Sequence, residues 1–272
     1  MIRHPSLSPE KTDWGDDPVE PPPPPSAGRS FRLGVSTAYD YMGTTILASA
    51  VSFALMFLPA AYGASWLVRL IDPEQRAASV RGLIVLLPLA VLILSPFIAG
   101  LYALAATMFR RDDPHFLTVF RQGKRLALGA WALGFTQLLV TVVLSADTVF
   151  LLTRPQTPFK VIGILTGYIL LLWAMMATYH WPLLIEQEKP LRTTLYRAFL
   201  LAMANPWYTL ITTFLFNVLL IGPILLVLTW QYGPAVLVPV SLAWGALLTC
   251  LQTSATLEIL RKYDSPAEGE QA

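Results

Sequence analysis

The sequence predicts an all-α fold: a polytopic membrane helical bundle of about six transmembrane helices, with short amphipathic helices at its cytoplasmic interface. Three observations predict it. Hydrophobic residues make up 55% of the 272-residue chain and charged residues 13%, with a mean hydropathy of +0.56, the composition of a multi-span membrane protein. The sixty residues 198–257 contain no Lys, Arg, Asp or Glu. As one helix that run would extend roughly 90 Å, about three hydrocarbon thicknesses, so it must fold back within a bilayer. Four further uncharged runs, 41–68, 82–109, 126–146 and 161–185, each reach the roughly 20 residues that cross a bilayer as helix.

The elements follow in chain order. Residues 1–28 carry five consecutive prolines, Pro21 to Pro25, and scattered acids (Glu10, Asp13, Asp16, Asp17, Glu20), which predicts a disordered, partly polyproline tail. The first apolar run starts after some forty polar residues and is far longer than the roughly 7–15 apolar residues of a cleaved signal, so it is read as a retained span. Residues 29–262 form the membrane domain and 263–272 a second disordered tail. Within lipid every backbone N–H and C=O must pair inside its own segment, so each run is read as helix. Pro59, Pro96, Pro223 and Pro239 fall inside these runs as expected kinks. The long run divides at Gln231-Tyr232-Gly233-Pro234, its one cluster of turn formers near the middle.

Lysine and arginine set the orientation. Fourteen lie in the N-terminal tail, the second loop, the fourth loop and the C-terminal tail, against five in the alternate loops. The positive-inside rule then places both termini and the two basic loops in the cytoplasm, across the inner membrane. Trp66, Trp181, Trp207 and Trp230 lie near predicted span ends, where interfacial aromatics are enriched.

The two basic loops resemble each other. Residues 109–121 lie over 185–197 without a gap, matching Pro114 with Pro190, Thr118 with Thr194, Arg121 with Arg197, and Val119-Phe120 with Leu195-Tyr196. Each copy reads as a span ending in charge, followed by a short helix with proline at its first position and, in the first copy, Asp113 as cap. Phe116, Val119, Phe120 and Gly123 share one face, with Arg121, Lys124 and Arg125 off it. Leu191, Leu195, Ala198 and Phe199 do the same in the second copy. A looser third copy places Phe31, Val35, Ala38, Tyr39 and Met42 on one face behind Arg29 and Arg32. The chain thus reads as a possible parallel internal repeat of one interfacial helix plus two spans, unlike the inverted repeats of many transporters.

The segment Pro96-Phe97-Ile98-Ala99-Gly100-Leu101-Tyr102, followed by Arg110-Arg111-Asp112-Asp113-Pro114 and residues 116–120, resembles the signature of the YesL-like family of bacterial membrane proteins. Leu195-Tyr196-Arg197-Ala198-Phe199-Leu200-Leu201-Ala202 is similar to that family's second interfacial segment, and the resemblance covers residues 30–262. It implies a non-enzymatic membrane protein associated with small-solute uptake, carbohydrate being the solute class. It supplies no catalytic residues.

The residues offer little chemistry of their own. His4, His115 and His180 have no metal-site spacing, Cys250 has no disulfide partner, and there is no P-loop, nucleotide fingerprint or nucleophile motif. No cofactor is expected, and nucleic acid is not expected as a partner because the basic residues are spread over separate loops. The intramembrane polar candidates are Asn217, Gln137, Gln252 and His180, whose first role is interhelical hydrogen bonding and whose sharper role is solute contact. A permease-like or secondary transporter subunit would line a polar cavity near the membrane centre with Asn217, Gln137 and Gln252. A membrane-embedded enzyme would bring His180 to Glu186 or Glu188. The candidate cytoplasmic interface comprises Arg110, Arg111, Arg121, Lys124, Arg125, Arg192 and Arg197, facing the lipid bilayer or docking a cytoplasmic or membrane protein partner.

Overall fold

The computed structural model describes residues 24–69, 72–188, 190–229 and 233–264, with side chains described outside 56–68, 73, 223–229, 233–244 and 264. Most of the proline-rich tail, Lys189, the Gln231-Tyr232 turn, the C-terminal tail beyond 264 and the side chains of Pro59, Trp66, Pro223, Trp230 and Pro239 lie outside those residues.

Every element among the described residues is helical, in the order α1 (Ala27–Asp40), α2 (Met42–Arg69), α3 (Pro73–Phe109), α4 (Leu117–Arg125), α5 (Ala127–Leu152), α6 (Thr157–Gln187), α7 (Leu191–Ala204), α8 (Pro206–Thr229) and α9 (Gly233–Asp264). Among the described residues, α3, α5 and α6 are long and apolar enough to cross a membrane. The pair Leu191–Ala204 and Pro206–Gly222, bent by 109° at Asn205, passes the same test only together, the pattern of a broken span or a re-entrant loop. Lengths of 26 to 37 residues give α3, α5 and α6 an extent of roughly 40–55 Å, beyond the roughly 30 Å of a hydrocarbon core.

The order short, long, long occurs three times, and the contacts close into a ring. The third helices α3, α6 and α9 touch one another at the centre. The short helices α4 and α7 pack on the long helix before them, α3 and α6, and α1 packs on the last helix, α9. The first long helices fill the gaps, with α2 between α9 and α3, α5 between α3 and α6, and α8 between α6 and α9.

Small residues make these contacts possible. A Cβ on Gly100 would run into the Val119 carbonyl, and one on Gly123 into the Pro96 carbonyl. Helices α3 and α4 therefore cross backbone to backbone, antiparallel, with 100 against 119 and 96 against 123. Where α1 meets α9, Ser254 Oγ donates to the Ser30 carbonyl at 2.8 Å and Arg29 pairs with Glu258 at 3.0 Å. Where α2 meets α9, the Ala246 N–H donates to Ser49 Oγ at 3.1 Å. Small and hydroxyl residues at such contacts are the pattern of helices that associate in lipid, where burying large apolar groups gains nothing over leaving them in acyl chains.

That physics divides the apolar face read for the short helices: its members Ala38, Val119, Gly123 and Ala198 are buried, whereas most of its large members are exposed. The buried residues are Ser30, Gly34, Thr37 and Ala38 in α1, Val119 and Gly123 in α4, and Thr194, Ala198 and Ala202 in α7. Phe31, Val35, Tyr39, Met42, Phe120 and Phe199, read as part of a shared apolar face, are exposed.

The proline at the first helical position is also corrected. Helix α3 ends with the Arg111 N–H bonded to the Met108 carbonyl and the Asp112 N–H to the Thr107 carbonyl, with Arg111 left-handed at φ 58°. This is a Schellman closure with arginine in the place glycine usually takes. Residues 112–115 then carry the chain back, Pro114 accepts from Thr44 Oγ1 at 3.2 Å, and α4 starts only at Leu117 with Phe116 rather than Asp113 as N-cap. In the second copy Pro190 is the N-cap residue of α7, not its first helical residue. Pro59, Pro96, Pro223 and Pro239 all fall inside described helices, as expected, and Pro88 and Pro182 join them unforeseen.

Candidate functional site

Between α3, α6 and α9, with α5 and α8 closing its sides, lies a cavity of about 380 Å³. Gln137 from α5, Asn217 from α8 and Gln252 from α9 all line it. Tyr102, Trp173 and Trp181 supply its aromatic surface, Thr141, Thr178 and Thr249 its hydroxyls, and no lining residue carries a charge. Asn217 stands at the middle of α8, so the cavity sits at mid-helix depth.

Each amide has one end committed and one end spare. Asn217 Nδ2 donates to the Thr213 carbonyl at 2.8 Å, Gln137 Nε2 donates to His180 Nδ1 at 3.1 Å, and Gln252 Oε1 accepts from the Tyr102 hydroxyl. Asn217 Oδ1, Gln137 Oε1 and Gln252 Nε2 have no partner among the described residues, so two acceptors and one donor are left on cavity-lining side chains. Tyr102 lies parallel to Trp181, ring centroids 6.2 Å apart, and the Trp173 indole N–H donates to Thr141 Oγ1 at 3.1 Å. A cavity of this size and character binds a small uncharged molecule by amide hydrogen bonds and aromatic faces.

His180 stands behind the lining, hydrogen-bonded to the neighbouring helix α5. It is fully buried, its ring lies 5.1 Å from that of Trp173, and the bond from Gln137 to Nδ1 places the ring proton on Nε2, which has no partner. Glu186 pairs instead with Arg110 at 2.6 Å, and Glu188 with Arg125. The convergence of His180 with either acid is thus not found among the described residues.

Trp181 is corrected as well: it is buried in the bundle because α6 continues beyond it to Gln187 and Tyr102 covers its ring. Trp207 stands exposed at the start of α8 as expected of an interfacial aromatic. Asn217, Gln137 and Gln252 are brought together; His180 joins them through Gln137 alone. Sequence reasoning missed Tyr102, Trp173 and Trp181 as lining residues. Tyr102 was visible only as the end of the quoted Pro96-to-Tyr102 segment, and the tryptophans carried no signal beyond their type.

The basic candidates divide. Arg110 and Arg125 are paired, whereas Arg111, Arg121, Lys124 and Arg192 are exposed and unpaired among the described residues. Arg197 is half-buried between α6, α7 and α9. No protein family, curated protein or solved structure matches the chain.

Proposed function

We propose that this chain is a non-enzymatic inner-membrane protein of the YesL-like type that binds a small uncharged solute, carbohydrate in class, as part of its uptake. Six spans, α2, α3, α5, α6, α8 and α9, cross the bilayer in three parallel units, each introduced by a short helix. Both termini and the basic connectors face the cytoplasm. The short-long-long order and the ring of contacts support the repeat, and the arginine asymmetry supports the orientation.

The observation that carries the reading is the cavity itself: three amides from three different helices, each with a hydrogen-bonding atom left without a partner among the described residues, line a space flanked by Tyr102, Trp173 and Trp181. Hydroxyls both donate and accept, and the apolar faces of sugar rings stack on aromatics, so a neutral polyhydroxylated molecule satisfies both sets of groups. At about 380 Å³ the volume is within the roughly 300–1,000 Å³ of small-molecule sites. The same cavity favours the permease-like form of the reading, in which the solute passes through this bundle rather than a partner's.

The test is uptake of labelled neutral mono- and disaccharides by cells with and without the protein, and with Gln252→Leu or Asn217→Leu. Loss of the protein or of either amide should abolish the difference. Uptake identical in all four strains for every sugar refutes solute handling. Reconstitution into vesicles separates transport by this chain alone from an accessory role.

A further inference from the structure

A second recess, of about 310 Å³, opens between α6, α7 and α9 at the end of the bundle that carries the basic connectors, and the cavity reading does not use it. Leu183, Leu201 and Leu260 form its walls, and Gln187, Arg197 and Tyr263 its polar edge. Arg29, Arg110 and Arg125 each have a glutamate partner. Arg197, half-buried against leucines, has no ion-pair or hydrogen-bond partner among the described residues. A guanidinium held that way has lost water without gaining a counter-charge, which is costly until an anion arrives.

The surroundings specify the anion. Asn205 Nδ2 donates to the Tyr263 hydroxyl oxygen at 2.9 Å, leaving the Tyr263 O–H free to donate. Lys262 Nζ, 3.2 Å from Asn205 Oδ1, adds a second cation beside the recess. Gln187 Oε1 is buried with no donor, so it calls for a hydroxyl or amine from the ligand. Leu200 in the lining of the recess and Met203 and Trp207 outside it are exposed on α7 and α8 and offer an apolar apron to acyl chains. Phosphate takes the planar guanidinium fork well, and basic recesses between spans on the cytoplasmic side recognise lipid headgroups.

We propose that this recess binds the headgroup of an anionic phospholipid bearing a hydroxyl, with Arg197 on the phosphate and Gln187 accepting from the headgroup hydroxyl. The proposal rests on the membrane-spanning reading, and its test keeps the two apart. Alkaline carbonate washing of membranes comes first: a protein released by the wash overturns the spanning reading and this site with it.

A wash-resistant protein is then purified in detergent and examined by native mass spectrometry with phosphatidylglycerol, phosphatidylcholine, or inorganic phosphate alone. The wild type should retain one phosphatidylglycerol per chain in preference to phosphatidylcholine. Arg197→Gln should lower that retention about tenfold, the effect of losing a charge-assisted pair. Arg121→Gln, which removes an equal charge from an exposed site on α4, should leave it unchanged. Ala204→Leu, which fills the recess with every charge kept, should lower it as Arg197→Gln does, so the outcome does not depend on one variant folding. Equal retention in all four proteins, or equal loss in both arginine variants, overturns the site. Occupancy by inorganic phosphate that depends on Arg197 while phosphatidylglycerol fails to bind overturns the lipid.

Discussion

Residues 97–108 of α3, 175–184 of α6 and 245–259 of α9 are mostly buried, whereas the opposite halves of α3, α5 and α6 expose Ile84, Val85, Leu139, Val149, Ile164 and Leu165. The buried end is rich in alanine, glycine, serine and threonine. The exposed end is rich in leucine, isoleucine and valine. In water this sorting would be unstable, because the large aliphatics would gain most from burial. Surrounded by acyl chains they gain nothing, and stability comes from backbones brought close together by small residues and joined by hydrogen bonds. The bundle is therefore held at the end near its basic connectors, and the cavity lies where tight packing gives way.

The strongest way to break this comparison is to put a side chain where two backbones touch. Gly100→Ala should destabilise the detergent-purified protein by about 3 kcal/mol, the upper range for overpacking, read as loss of the monodisperse peak on heating. A stable Gly100→Ala variant would mean that the α3–α4 contact is not what holds this end. Next in size, Gln252→Leu removes the spare amide donor and the Tyr102 bond together. It should weaken sugar retention at least about tenfold with a smaller change in melting temperature.

Arg111→Gly acts in the opposite direction. Relieving a left-handed arginine should stabilise the closure of α3 by about 1 kcal/mol, raising the melting temperature. Smallest of all, Leu139→Ala on the exposed half should change stability by no more than about 0.5 kcal/mol. A large loss there would show that the exposed half is covered by protein and not by lipid.

Helix placement was legible because charge and proline punctuate this chain clearly. The run 82–109 sits within α3 and 161–185 within α6, and the bend at Asn205 separates the amphipathic lead-in from α8. The mid-depth amides were legible too, since a polar side chain inside an apolar run has few places to go. Which face of a short helix is buried was legible only in part. Amphipathicity measured by large residues assumes a watery exterior, so beside Ala38, Val119, Gly123 and Ala198, which do make the contacts, it selected Phe31, Phe120 and Phe199, and it passed over Ser30, Gly34 and Thr194. Trp181 was misplaced for a related reason: an aromatic near the end of an apolar run is ambiguous until the length of its helix is known. The ion pair of Arg29 with Glu258 could not be read from local pattern at all.

The seat of α1 lies on α9, and Ser30 meets Ser254 across 224 positions of chain. During synthesis the first helix is therefore made long before the surface it rests on exists. Until the last helix emerges, Arg29 lacks the Glu258 carboxylate and the glycine-serine stripe of α1 lacks its neighbour. The ring cannot shut by stepwise addition, because its final joint needs the oldest and the youngest segments at once. A ribosome stalled before Gly233 should thus leave a chain whose α1 is cut readily by protease, and release of the full-length product should abolish that cutting.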